Sequence, residues 1–149
     1  DLAVYGAHDV TVVADTLFSL NDFDDASALV LPGGMPGAAN LMAHEDLCTL
    51  LTKKAVEEDV VLAAICAAPL VLGELGILKG HKATCYPGFE EHLLGADIDS
   101  QSLVVRSGDG LITACGPAAA FELGFALVTR LKDSATAEGI RQGMMFGRA

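Results

Sequence analysis

Residues 60–76 read VVLAAICAAPLVLGELG, and this stretch decides how the surrounding chain folds. Its first six residues are apolar without alternation, which is typical of a strand buried on both faces of a sheet. Residues 68–78 have apolar side chains at helical spacing, and the helix is expected to close at Gly76. The sequence therefore predicts a strand that turns sharply into a helix at Cys66.

Strand and helix patterns alternate along the rest of the chain. Short apolar runs predict strands over residues 8–14, 28–34, 82–86, 103–107 and 110–116. Helical spacing predicts helices over residues 45–59, 117–132 and 134–145. Such alternation indicates an α/β fold in which a mostly parallel sheet of five or more strands carries helices on both faces.

The first ten residues, DLAVYGAHDV, look like the end of a helix that runs into a strand. A doubly wound α/β domain normally begins with a strand before that helix. We therefore expect residues 1–149 to form a single domain that lacks its first strand.

Charge argues against two classes of partner. Nine Lys and Arg face twenty Asp and Glu, giving a formal net charge of −11. An acidic surface repels nucleic-acid phosphates and anionic lipid, and no stretch approaches the roughly 18 apolar residues that span a bilayer. We expect no nucleic-acid partner and no membrane partner.

Cysteine and histidine spacing gives no sign of a metal centre. The four cysteines form no C-x-x-C pair and the four histidines are scattered, so we expect reduced thiols in a cytoplasmic protein without bound metal. No glycine-rich nucleotide motif occurs either, and no cofactor is expected. These residues are Cys48, Cys66, Cys85, Cys115, His8, His44, His81 and His92.

Three unusual turns fall at the predicted carboxyl ends of strands, where ligands bind in open α/β sheets. They are Pro32-Gly33-Gly34, Cys66-Ala67-Ala68 and Cys115-Gly116-Pro117. A cysteine after an apolar run is more often a core thiol than a nucleophile, but a strand-to-helix turn exposes a side chain to the N–H groups of the following helix. Because these groups favour the thiolate, we predict that Cys66 has a depressed pKa and is the most reactive of the four thiols.

Four segments carry a resemblance to a known family: LVLPGG (29–34), AAICAAP (63–69), ATCYP (83–87) and LITACGPAAAFELG (111–124). In order and spacing they resemble the ThiJ/PfpI superfamily. The nearest branch looks like that of the parkinsonism-associated deglycase and its bacterial ThiJ-type relatives. The resemblance covers nearly the whole chain.

The resemblance implies a flavodoxin-like three-layer sandwich, a homodimer and a reactive cysteine at Cys66. It implies that the backbone around Gly33, Gly34 and Ala67 forms a pocket for an oxyanion or small anion. Family members are described as acting on glyoxals, removing early glycation adducts, serving as redox-responsive chaperones or, in some branches, cleaving peptides.

This chain departs from the family pattern in three places. Peptidase-like branches carry His after the nucleophile, where this chain has Ala67, so a protease is disfavoured. The deglycase branch usually carries His where this chain has Tyr86, which can donate a hydrogen bond to substrate but is a poor general base near pH 7. The family's thiol-bonding glutamate follows the first strand, which is expected to lie outside this sequence.

Several residues keep two interpretations. Cys85 and Cys115 could exchange with Cys66, although two packed thiols are the simpler expectation, and Cys48 fits a core position. His92 could replace the missing imidazole, and His81 is expected in a surface turn.

Two functions remain open for Cys66. The thiol could attack a small carbonyl substrate as a glyoxalase-like or deglycase-like enzyme. Alternatively, the same thiol could sense oxidative stress, or switch a chaperone, when it is oxidised.

Overall fold

A computed structural model of the chain describes residues 1–19 and 23–147. It has an α/β architecture with a central four-stranded sheet. The strands are β1 (Ala3–Tyr5), β2 (Thr11–Val13), β3 (Ala28–Leu31), β4 (Val61–Ile65), β5 (Lys82–Ala83), β6 (Asp97–Ile98), β7 (Val104–Ser107) and β8 (Leu111–Ala114). The helices are α1 (Gly37–Met42), α2 (Glu45–Lys54), α3 (Pro69–Glu74), α4 (Ala120–Leu131) and α5 (Ser134–Gly143).

The central sheet has the strand order β3-β4-β8-β7. Strands β3, β4 and β8 are parallel, with Leu31 opposite Ala64 and Ile65 opposite Ala114. Strand β7 runs antiparallel to β8 at one edge. The predicted α/β fold with a mostly parallel sheet is confirmed.

Strand β4 lies at the centre of the core. Residues 61–64 are almost fully buried because helices cover both sheet faces, which explains the uninterrupted apolar run. One face packs against the helices that contribute Leu51 and Leu72, and the other packs against Leu123 of α4. Each such buried aliphatic side chain contributes about 1.5–3 kcal/mol relative to an exposed one.

The prediction for the first ten residues is wrong. Residues 3–5 form β1, which pairs antiparallel with β2, so no helix precedes the first observed strand. The chain reverses because His8 and Asp9 adopt positive φ angles of 63° and 58°, and the N–H of Gly6 donates to the carbonyl of Val10. The strand predicted over residues 8–14 is correspondingly confined to β2.

The predicted sheet of five or more strands is also wrong for the described part of the chain, where the main sheet has four. Strand β5 stops at Ala83 and pairs only with the short strand β6. The next N–H, that of Thr84, donates to the side-chain Oγ1 of Thr113 rather than to a strand carbonyl.

Helix α2 is shorter than predicted. It ends at Lys54 rather than at residue 59, since three acidic residues at 57–59 would oppose the negative end of the helix dipole. Helix α3 closes where the sequence predicts: Leu75 is its C-cap, and the chain leaves the helical path at Gly76, which has a φ of 74°. Within the described ranges, none of the helices combines the length and apolar character needed to cross a membrane.

Candidate functional site

The three predicted turns lie next to one another at the carboxyl edge of the sheet. They follow Leu31, Ile65 and Ala114, the last residues of three adjacent parallel strands. The N–H of Cys66 donates to the carbonyl of Ala114 over 2.9 Å. This arrangement places Cys66 at the middle of the edge, as the sequence predicts.

Cys66 has an unusual backbone conformation. Its φ angle of 63° lies in the left-handed region, which costs a non-glycine residue about 1–2 kcal/mol. The turn is held from a second side by the N–H of Tyr86, which donates to the Cys66 carbonyl over 2.8 Å. The side chain is partly buried, and the buried residues Ala67 and Ala68 lead directly into α3.

Gly33 lies directly against the Cys66 turn. A Cβ atom added at Gly33 would be 2.5 Å from both the Cβ of Cys66 and the carbonyl oxygen of Ile65, and 3.3 Å from the nitrogen of Ala67. Only glycine permits so close an approach of the two backbones. Gly34 follows with a φ of 90°, a left-handed angle that also favours glycine.

Backbone N–H groups are available beside the thiol. Those of Gly33, Gly34 and Ala67 donate to no carbonyl within residues 1–19 and 23–147. Helix α3 begins at Pro69, which has no N–H group, and is only six residues long. That the backbone of Gly33, Gly34 and Ala67 binds an oxyanion or small anion stays a prediction of the family resemblance.

Tyr86 borders the site from the loop after β5. Its ring lies against Gly116, where an added Cβ would be 3.3 Å from the Tyr86 Cδ2 atom. Tyr86 is 46% exposed. Tyr86 thus connects the Cys66 turn to the turn after β8.

The other thiols are more enclosed or differently bonded. Cys85 is buried, and this burial, reinforced by the charge of Glu90, raises the pKa of its thiol to about 11. The Cys48 thiol donates to the carbonyl of Met42 over 3.2 Å, and burial raises its pKa as well. Cys115 is partly buried and shares a cavity of about 120 Å³ with Cys85.

His92 is paired with a carboxylate on α3. Its Nδ1 atom is 2.7 Å from Oε1 of Glu74, and the pair borders an apolar groove that includes Leu70 and Phe89. His81 instead contacts Oγ of Ser107 over 3.0 Å. Within the described residues, no group of three or more His, Cys, Asp or Glu side chains is arranged to hold a metal ion.

The structure adds Glu90 to the surroundings of the site. Of the two consecutive acidic residues Glu90 and Glu91, only Glu91 is exposed. Glu90 accepts a hydrogen bond from the N–H of Gly88 over 2.7 Å and borders the cavity shared by Cys85 and Cys115. In the sequence, the position of Glu90 near the site is indicated only by its place three residues after Pro87, in a loop that must turn back towards the strand ends.

Comparison with known sequences gives consistent similarities. A family model described as the DJ-1/PfpI family matches residues 1–130. Protein DJ-1 homolog B of Arabidopsis thaliana is 35% identical over 132 residues, which are 87% of this chain and 30% of the relative. Protein dj-1beta of Drosophila melanogaster is 31% identical over 145 residues, which are 96% of this chain and 76% of the relative. A deglycase of Pyrococcus abyssi is 33% identical over 96 residues, which are 64% of this chain and 57% of the relative. The chain thus spans less than two thirds of the Arabidopsis and Pyrococcus relatives.

Solved structures show the same fold. Oxidised Toxoplasma gondii DJ-1 superposes with a TM-score of 0.86 at 29% identity, covering 99% of this chain and 79% of that one. Drosophila melanogaster DJ-1beta superposes with a TM-score of 0.87 at 29% identity, covering 98% of this chain and 78% of that one. The predicted flavodoxin-like sandwich agrees with both.

Proposed function

This chain belongs to the DJ-1/PfpI family, and we propose that its Cys66 thiol acts on small reactive carbonyl compounds, as in glyoxalases or deglycases. The observation that carries the proposal is the turn itself. Cys66 is held at a left-handed φ angle between two backbone hydrogen bonds, with Gly33 in direct contact. A conformation of this cost persists where the surrounding structure enforces it, and such positions concentrate at functional sites.

The first chemical step follows from the groups around the sulfur. The Cys66 thiolate adds to the carbonyl carbon of an aldehyde, the carbonyl π bond breaks, and its electron pair moves to oxygen. The resulting alkoxide takes up a proton from water, replacing the one that the thiol released, to give a hemithioacetal. The N–H groups of Gly33, Gly34 and Ala67 offer hydrogen bonds to that oxygen. Donors fixed before the reaction stabilise developing charge without reorganisation.

Substrate orientation is assigned to two neighbours. The buried side chain of Ala67 packs in the core, so only its backbone N–H is offered to the substrate. Tyr86 contributes a hydroxyl that can donate to a second oxygen of the substrate, since its side chain is half exposed beside the turn. The similarity to a deglycase of Pyrococcus abyssi supports a carbonyl substrate.

The test is consumption of methylglyoxal by purified protein, followed beyond one equivalent per chain to exclude simple adduct formation. Wild-type protein is expected to turn the compound over, and Cys66→Ala to lose turnover. Cys48→Ala is the matched control, because that thiol is bonded to Met42 in a different part of the fold. Unchanged turnover in Cys66→Ala would overturn the proposal.

A second candidate is an oxidation sensor that uses the same thiol. One observation favours it: a similar solved structure is that of an oxidised DJ-1. Turnover requires a proton-transfer partner, whereas oxidation of a thiol does not. Rapid modification of Cys66 by peroxide together with no methylglyoxal turnover would favour the sensor.

We also propose that the chain forms a homodimer. The β1–β2 hairpin exposes apolar side chains, among them Val4, Tyr5, Val12 and Val13. An exposed apolar patch on a small two-stranded sheet is typical of a protein interface. A second copy of the chain is the partner that the family resemblance suggests.

A further inference from the structure

Three of the four cysteines converge at one edge of the sheet. Cys115 directly follows Ala114, whose carbonyl accepts the N–H of Cys66 over 2.9 Å. Cys85 directly precedes Tyr86, whose N–H donates to the carbonyl of Cys66 over 2.8 Å. Each additional thiol is therefore one residue away from a backbone hydrogen bond to Cys66.

Cys66 and Cys115 also follow a pair of neighbouring strand ends. Strands β4 and β8 are parallel, and Ile65 lies opposite Ala114 as the last residue of each strand, so each cysteine is the first residue beyond its strand. Neighbouring strands lie about 4.7–4.9 Å apart. Disulfides join residues whose Cα atoms are about 4.4–6.8 Å apart, so this spacing suits a disulfide.

We propose that Cys115 is a resolving cysteine, which traps peroxide-oxidised Cys66 as an intrachain disulfide. Hydrogen peroxide first converts the Cys66 thiol into a sulfenic acid and releases one water. The Cys115 sulfur then attacks the Cys66 sulfur, the S–O bond breaks, and the oxygen leaves as a second water with the proton of the Cys115 thiol. Peroxide is reduced and two thiols are oxidised, so atoms and electrons balance.

Cys115 fits this role better than the other thiols. Cys85 is buried, and its thiol, with a pKa of about 11, stays protonated at neutral pH, which slows its attack on sulfur. Cys48 lies on α2, where its thiol is bonded to the carbonyl of Met42. Cys115 is only partly buried, and its strand is hydrogen-bonded to the Cys66 turn.

A disulfide at this position would have two consequences. It would block the sulfur that carries the proposed carbonyl chemistry, and it would prevent further oxidation of Cys66 to the sulfinic acid. A reductant would restore the free thiol. The site would thus respond reversibly to peroxide, whichever substrate Cys66 uses.

The experiment treats the reduced protein with increasing hydrogen peroxide and follows intact mass and peptide maps without reduction. Wild-type protein is expected to lose about 2 Da and to yield a Cys66–Cys115 cross-linked peptide. Cys115→Ala is expected to gain about 32 Da on Cys66, the mass change of a sulfinic acid. Cys48→Ala and Cys85→Ala are expected to form the same cross-link as wild type.

Two results would overturn the proposal: wild-type Cys66 passing directly to sulfinic acid, or a cross-link from Cys66 to Cys85. Both are read from the wild-type map, so the test stands even if a variant fails to fold. It is also independent of methylglyoxal turnover, whose absence would remove the proposed enzyme activity but leave the cross-link to be observed.

Discussion

Gly33 and Cys66 are in backbone contact across two parallel strand ends, and the site depends on this contact. The space between them is too small for a methyl group, since a Cβ at Gly33 would lie 2.5 Å from the Cβ of Cys66. The neighbouring carbonyl of Ile65 is equally close, so neither side can yield by rotating a flexible side chain. Gly33 therefore fixes how closely its strand end approaches the thiol.

Gly33→Ala is expected to displace the Cys66 turn. Overpacking of this kind lowers the free energy of unfolding by about 1–3 kcal/mol, and the alkylation rate of Cys66 should change by about tenfold. Urea denaturation and timed iodoacetamide labelling measure the two effects. Gly37→Ala is the control, because an added Cβ at Gly37 has no atom within 4 Å. If both variants kept the same free energy of unfolding and the same alkylation rate, close packing at Gly33 would not hold the Cys66 turn.

The order in which the thiols react is a second prediction. Under limiting iodoacetamide at pH 6, peptide mapping should find Cys66 labelled first. Cys66 is partly exposed beside backbone N–H groups, whereas the raised pKa values of Cys48 and Cys85 keep those thiols protonated. Earlier labelling of Cys85 or Cys115 would show that the strand-to-helix turn does not activate Cys66.

Cys85 should make stability depend on pH in the alkaline range. Its pKa is raised to about 11 in the folded protein, above the ordinary value of 9.0, so the unfolded chain loses this proton first as pH rises. The free energy of unfolding should therefore fall between about pH 9 and pH 11, by at most about 1.4 kcal/mol per pH unit from this group. Urea denaturation of wild type and Cys85→Ala at several pH values measures this. The free energy of unfolding should fall less steeply with pH in the variant, and equally steep falls would show that Cys85 does not cause the dependence.

The central site was predictable because it depends on strand ends. Apolar runs that precede Gly33, Cys66 and Cys115 indicate buried parallel strands, and the carboxyl ends of such strands meet at one edge. The chain order alone therefore brought these three turns together.

The remaining features depend on contacts between distant parts of the chain. The first ten residues are too short for periodicity to separate helix from strand, and the positive φ angles of His8 and Asp9 decide in favour of a hairpin. Strand β5 is short because Thr84 bonds the side chain of Thr113, a contact across 29 positions. The partial burial of Glu90 likewise depends on how its loop packs near Cys85.

Tyr86 and His92 should differ in their effect on the proposed activity. Tyr86→Phe removes a hydroxyl beside the Cys66 turn and is expected to lower kcat/KM for methylglyoxal about tenfold, the effect of losing one hydrogen bond in the transition state. His92→Ala should leave kcat/KM within about twofold, because its imidazole is bonded to Glu74. A larger loss in His92→Ala would show that this imidazole serves the site.

The β1–β2 hairpin is expected to hold the proposed dimer together. Val4 and Val12 are opposite one another in the hairpin, and both are more than half exposed. Light scattering at micromolar concentration should give about 31 kDa for wild type, twice the 15.4 kDa of one chain. Val12→Glu places a charge in this apolar surface and should shift the mass towards the monomer. Val56→Glu is the matched control, since Val56 is 84% exposed and lies beyond the end of α2. A wild-type monomer, or equal dissociation in both variants, would show that the hairpin is not the interface.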